Sequence, residues 1–309
     1  MKVGIIGAGS IAGTMAGTIR EMDCAQNYAV AARDYGRAAE FAQTYGFEKA
    51  YGSYEELVED AGVELVYIAT PHSHHYEHIK LCLNHGKHVL CEKSFTVNES
   101  QAREVLALAR EKKLLLTEAI WTRYMPMRKT LDSVLSSGVI GRPYMLTANL
   151  GYIISGKERM RPELAGGALL DVGIYPLNFA SMVFGDEVDS ITGTAVMTET
   201  GVDAQNSITI TYKDGKMAAL CSSAMGLSDR RGIIYGDNGF IEVENINNCE
   251  GIRVYDRSRN MIASYDTPKQ ISGYEYEVEA CLRAIKEGAL ECPEMPHEET
   301  LRMMGWMDE

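Results

Sequence analysis

The sequence of 309 residues carries no clustered block of lysine or arginine, and its formal net charge is -13. An electrostatic footprint for nucleic acid or an anionic membrane is therefore missing, and the acidity reads as solubility. No apolar run approaches the roughly 18 residues of a membrane span, and no charged leader with an apolar segment precedes the first strand pattern. A cytoplasmic protein with no membrane partner is expected. Seven cysteines, at 24, 82, 91, 221, 249, 281 and 292, form no C-x-x-C pair, and their odd number would strand one in a disulfide framework. They read as reduced thiols. His74 and His78 stand four apart, as on one helical face, but no third ligand follows at a recognisable spacing, so no metal is expected. Internal repeats and low-complexity linkers are also absent. With 46% hydrophobic and 24% charged residues the chain is an ordinary globular protein, long enough for two domains.

What is present begins at once. Val3, Ile5 and Ile6 have the character of a buried strand, and Gly7, Gly9 and Ala12 form a G-x-G-x-x-A turn before a helical run over 10–20. Gly7 permits the tight turn, Gly9 removes the Cβ that would block a pyrophosphate, and Ala12 lets the helix approach the strand. Backbone N–H groups at Ser10, Ile11 and Ala12 would face the phosphates.

Strands and helices then alternate. Strands are expected over 28–32, 64–70, 88–91 and 114–118, with helices capped by Asp34, by Ser53 with Glu56, and by Asn98 with Gln101. This alternation predicts a Rossmann domain over 1–120, with a parallel sheet and ligands beyond the carboxyl ends of its strands. After Trp121 the texture changes to period-two patterns over 144–152, 190–198, 207–212, 217–223, 232–235 and 240–243. Asp214-Gly215 and Asp237-Asn238-Gly239 supply hairpin turns. The second domain, 121–309, is therefore expected to be α+β with an open, predominantly antiparallel sheet, flanked by helices over 127–137, 274–287 and 298–307. The fold class is α/β plus α+β.

Four ordered segments, GIIGAGSIAG, ATPHSHHYEH, GKHVLCEK and GGALLDVGIY, resemble the glucose-fructose oxidoreductase and inositol dehydrogenase family across nearly the whole chain. Within it, AARDYGRAAEFA, AYGSYEEL and TEAIWTRYMP look most like the dimeric dihydrodiol dehydrogenases and NADP-dependent xylose dehydrogenases. The resemblance implies hydride transfer between NAD(P) and a hydroxyl or carbonyl of a sugar, polyol or cyclic diol. It also implies a homodimer through the outer face of the second sheet, to which Ile191, Val196 and Met197 would contribute. The family's Glu-Lys-Pro motif falls on Glu92, Lys93 and Ser94. Without the proline a trans peptide is expected there, because a cis bond to another residue costs about 2.5–4 kcal/mol. Lys93 matches the lysine that touches substrate and nicotinamide ribose. Thr70, Pro71, His72 and His75 fall in the cofactor loop; the two histidines could bond the ribose, or serve only as a helix start. Tyr175 matches the acid–base position, and Asp171, four residues earlier, is either a catalytic partner or a cap. Trp121, Arg123 and Tyr124 match a substrate segment, although Trp121 could be core. Compared with these relatives the chain is expected to stop early, at Trp306-Met307-Asp308-Glu309, with a shortened final helix.

NADP is expected over NAD, with NAD possible. The slot about 20 residues past the glycine turn, where an acidic residue would bond a ribose 2′-hydroxyl, holds Ala32, and Arg33 follows it. Arg33 with Arg37 could pair with a 2′-phosphate. Loss of a carbinol hydride requires an acceptor for the hydroxyl proton. Tyr175, with an ordinary value near 10, could serve if a lysine ammonium about 4 Å away supplied roughly 4 kcal/mol; otherwise Lys93 is itself the acceptor. Two alternatives stand beside a dehydrogenase: an NADP-binding sensor without turnover, and an NAD-dependent glycosidase of the same fold. A sensor has no need of both Lys93 and Tyr175.

Overall fold

The computed structural model describes residues 1–154, 156 and 158–309. They form two compact units, residues 1–124 with 270–304, and 125–269 with 305–309. Residues 270–304 thus return to the first unit, where a cut at 120 would leave them in the second.

The first unit is a six-stranded parallel sheet in the order β3-β2-β1-β4-β5-β6, with β1 Lys2–Ile6, β2 Gln26–Ala31, β3 Lys49–Tyr51, β4 Leu65–Ile68, β5 His88–Glu92 and β6 Leu116–Ala119. The central strands read as uninterrupted apolar runs, and Ile5, Val30, Val66, Ile68, Val89 and Leu90 are fully buried. Five helices make the crossovers: α1 Ser10–Arg20, α2 Tyr35–Tyr45, α3 Tyr54–Glu59, α4 His72–Asn84 and α5 Glu99–Lys112. Asp34 caps α2 by accepting from Arg37 N at 2.7 Å, Ser53 and Glu56 close a capping box on α3, and Asn98 accepts from Gln101 N at 2.9 Å. Asp60 ties β3 to the loop before β4, taking bonds from Lys49 Nζ and Tyr51 Oη at 2.7 Å and from Gly62 N at 2.8 Å.

The second unit opens with α6, Pro126–Ser136, and is built on β7 Pro143–Gly151, the helix α7 Ile174–Phe184, and β8 Val188–Met197, β9 Asp203–Tyr212, β10 Met217–Ser223, β11 Gly232–Gly236, β12 Gly239–Glu244, β13 Gly251–Asp256 and β14 Met261–Asp266. The sheet order is β14-β13-β12-β11-β7-β10-β9-β8. All pairings are antiparallel except β7 with β10. That parallel pair brings two strand ends together: Tyr152 N donates to Ser223 O at 3.0 Å and Ile154 N to Ala224 O at 2.9 Å. Leu146, Ala148, Leu150, Ile210, Ala218 and Leu220 form the inner face, where α7 packs. The segment Pro162–Phe184 has a hydropathy of 1.3 in its most apolar 18-residue window, so one stretch does reach membrane-span length; 78% of that window is buried inside the protein, as befits a core helix. The chain ends with α8, Glu275–Glu287, and α9, His297–Asp308. Among the described residues no group of three or more His, Cys, Asp or Glu side chains is placed to hold a metal ion.

Candidate active site

In the first unit the carboxyl ends of β1, β2, β4 and β5 present their loops at one edge. Gly7 has φ +105°, and a Cβ there would lie 2.9 Å from Ala69 O, so the turn after β1 needs glycine for its own backbone. Gly9 differs. Its φ of -95° suits any residue and a Cβ would meet nothing within 4 Å, which leaves open space directly before α1. No side chain caps α1, and its first turn carries no acidic residue. The residues present therefore fit a dinucleotide: Gly9 leaves room for phosphate, and the N–H groups at Ser10, Ile11 and Ala12 stand at the positive end of the helix.

At the end of β2, Ala32 is buried and Arg33 and Arg37 are exposed. Arg37 Nη2 donates to Ala8 O at 3.0 Å, which ties it to the glycine turn. Asp34 turns its carboxylate to its own helix, leaving no acid in the ribose slot.

The turn after β5 is enclosed. Glu92 is buried and accepts from Lys93 N at 3.2 Å and from Tyr67 Oη. Burial, with the Glu92 and Glu277 carboxyls nearby, pushes the Tyr67 phenol well above its ordinary value, so it remains a donor. The Lys93–Ser94 peptide is cis, where the absence of proline pointed to trans. Residue type alone does not set this turn; Ser94 is fully buried, and its own carbonyl lies 2.8 Å from His75 Nδ1 on α4.

Pro71 precedes α4, and the cofactor-loop histidines are placed differently from one another. His72, half-buried, opens the helix with its ring 5.8 Å from that of His75. His75 is fully buried, with Nδ1 2.8 Å from Ser94 O and Nε2 2.8 Å from Thr70 O, so neither nitrogen is left for a ribose. Burial pushes it down to about 4. His78 shares its face with His74 as expected and sits with Nδ1 3.0 Å from Thr70 Oγ1; burial, then His74, pushes it down to about 4.

The substrate segment turns inward. Trp121 stacks on Tyr274 at 4.3 Å and 18°. Arg123 is buried and pairs with Glu299 at 2.7 Å, while Tyr124 Oη donates to Glu118 O at 2.9 Å. The polar ends of Arg123 and Tyr124 are thus engaged inside the unit, which differs from the expected substrate contact.

In the second unit the turn before α7 is shaped by Gly167, with φ +131°, where a Cβ would lie 2.4 Å from Asp203 Oδ1. Asp203 holds this turn by accepting from Leu169 N at 2.8 Å. A single π-helical turn, Leu169–Gly173, then feeds α7. Asp171 lies in it, buried and 3.4 Å from Arg159 Nη1, so it is a paired residue in a helical turn and not the N-cap. Tyr175 follows in the first turn of α7, 8% exposed. A π turn is frequent at functional sites and re-aims the side chains that follow.

A glycine turn open to phosphate, on the same sheet edge as the half-buried Lys93 turn, is the arrangement of a dinucleotide-binding domain. Residues 1–120 match the oxidoreductase family with an NAD-binding Rossmann fold, and residues 129–242 match the GFO/IDH/MocA C-terminal domain. A trans-1,2-dihydrobenzene-1,2-diol dehydrogenase from Homo sapiens is 36% identical over 97% of this chain and 92% of its own length; one from Xenopus tropicalis is 33% identical over 100% and 96%. A 3-ketoreductase from Actinomadura kijaniata, solved with NADP and TDP-benzene, superposes with a TM-score of 0.91 at 25% identity, covering 100% of this chain and 96% of that one. The chain belongs to the GFO/IDH/MocA family, and it is an NAD(P)-dependent oxidoreductase of CH–OH groups.

Proposed function

We propose that the protein is an NADP-preferring dehydrogenase of a cyclic, polyol-like substrate bearing neighbouring hydroxyl groups, with Lys93 orienting the reacting hydroxyl and Tyr175 taking its proton. The observation that carries this reading is the edge shared by the open Gly9 turn and the enclosed Lys93 turn, on a chain whose relatives at 33–36% identity are diol dehydrogenases. The bound nicotinamide supplies the hydride acceptor. Lys93 would donate to the hydroxyl oxygen, fix its direction and favour tyrosinate at Tyr175, whose phenolate oxygen would take the hydroxyl proton and become the neutral phenol as the carbonyl forms. Measured by nicotinamide absorbance with a trans-dihydrodiol, xylose, glucose and inositol, Tyr175→Phe should lower turnover about 10²–10⁴-fold, and Lys93→Met should abolish it with cofactor binding largely kept. Near-normal turnover in Tyr175→Phe, with an unchanged pH profile, would pass the role to Lys93.

The NADP preference rests on Arg33 and Arg37 beside a slot without an acid. Arg33→Ala should weaken NADP about ten- to a hundred-fold, from 1.5–3 kcal/mol of charge-assisted bonding, with NAD little affected. Equal weakening of both defeats the assignment.

A homodimer through the outer face of the second sheet is supported by its register. Met217, Met145, Tyr235, Phe240, Tyr255 and Met261 stand opposite one another across six strands as one apolar row, with Phe240 stacked on Tyr255 at 4.6 Å. Val196 and Met197 on β8 are each 57% exposed, and Ile191 is half-buried. Exposed apolar surface of this extent marks an interaction face. A monomer by sedimentation at micromolar concentration would remove the idea.

A further inference from the structure

His75 is a buried polar group for which the proposed chemistry has no use. It projects from the first turn of α4 into a space where both ring nitrogens meet backbone carbonyls at 2.8 Å, one from Thr70 after β4 and one from Ser94 after β5. Around the ring stand His72, at 5.8 Å, and the Lys93 charge. A neutral imidazole carries one N–H, so it can donate to one of these carbonyls at a time. Lys93 is meanwhile held on its other side, through its own N–H, by Glu92.

We propose that His75 is a positioning residue: by donating from Nδ1 to Ser94 O it anchors the turn after β5 to α4, and so fixes where Lys93 presents its ammonium. This rests on the reading of Lys93 as the group that orients substrate. The competing explanation is that the ring merely fills space beneath α4. The two differ in which replacement works. Asparagine places an amide donor near the Nδ1 position and glutamine near Nε2, whereas leucine fills the space without a donor.

The test compares His75→Asn, His75→Gln and His75→Leu with the wild type in two measurements. The first is amide hydrogen exchange at Ser94 to Val97 in the NADP-bound protein without substrate, which needs no turnover and so stands whether or not the substrate reading holds. Leu should speed exchange there about tenfold or more while the protection of β1 and α1 is unchanged; Asn should restore it and Gln should not. The second is turnover, where Leu and Gln should fall about ten- to a hundred-fold in kcat, with the KM for NADP within about twofold, as expected when a reacting group shifts by roughly 1 Å. Asn should recover most of the loss. Unchanged exchange at Ser94 to Val97 in Leu, or in Gln should Leu not fold, overturns the proposal. So does turnover in Leu or Gln equal to that in Asn. A wild type that turns over while Lys93→Met does so equally well defeats the lysine assignment instead, and the exchange result still decides the anchor.

Discussion

Replacing His78 by phenylalanine should make the protein less stable at neutral pH and comparatively more stable in acid. His78 is half-buried, its ring edge-on to Tyr54 at 4.7 Å, and its value is pushed down from 6.5 to about 4. Between those limits the unfolded chain binds more protons than the folded one, so the contribution is full above about pH 6.5 and is lost as pH falls toward 4. From pH 7 to pH 5 the loss is about 1.5 pKa units, or roughly 2 kcal/mol. The ring is partly exposed, and solvent screening brings this nearer 1 kcal/mol. Phenylalanine keeps the contact with Tyr54 but forfeits the bond to Thr70, costing about 1 kcal/mol at pH 7. The wild type alone is a poor gauge. Glu118, which burial pushes up to about 7, gains stability over the same range and offsets one histidine. The difference between variant and wild type isolates His78. Urea unfolding followed by far-UV circular dichroism at pH 7, 6 and 5 should show the gap closing by about 1–2 kcal/mol. A gap independent of pH would refute the reasoning.

Gly9→Ala should leave the melting temperature nearly unchanged, because its backbone is ordinary and the space is open, yet weaken NADP strongly in a fluorescence titration. Gly7→Ala should instead destabilise the fold itself, through φ +105° and the 2.9 Å approach to Ala69 O, and show as a lowered denaturation midpoint. Asn98→Ala removes the cap on α5 and should cost about 1 kcal/mol in urea unfolding with cofactor affinity unaltered. Asp60 lies well below the usual carboxylate range; burial opposes this, but the Lys49 and Gly62 bonds outweigh it. Its contribution should be present above about pH 4 and disappear in stronger acid, and Asp60→Asn should flatten that limb.

The parts legible in the sequence are those whose signal is local. The glycine turn, the caps at Asp34, Ser53 and Asn98, and the hairpin at Asp214-Gly215 depend on residues within a few positions of one another. β10 was readable to the residue over 217–223. By contrast β3 has only three residues, and β14, MIASYD, is largely exposed and carries little alternation. The pairing of β7 with β10 joins strands some seventy residues apart and leaves no local trace. The same limit applies at the site. Lys93, Tyr175 and the cofactor turn could be picked out as motifs, whereas the inward orientation of His75, Arg123 and Tyr124 depends on what surrounds them. The trans expectation at Lys93–Ser94 failed for that reason: residue type was the only guide.

The parallel pairing of β7 with β10 also bears on which loops of the second sheet can change length. Both strands deliver their chain at the same end of the second sheet, and the segments that leave them, after Gly151 and after Ser223, begin as hydrogen-bonded neighbours. Their roots are pinned by these bonds and by the one from Ser228 N to Gly151 O at 3.3 Å. Lengthening such a loop is cheap, about 0.6 kcal/mol for each doubling, and the antiparallel strands on either side need not shift. The pair therefore behaves as a two-pronged mount, in which one prong can be recut while the other holds its root in place.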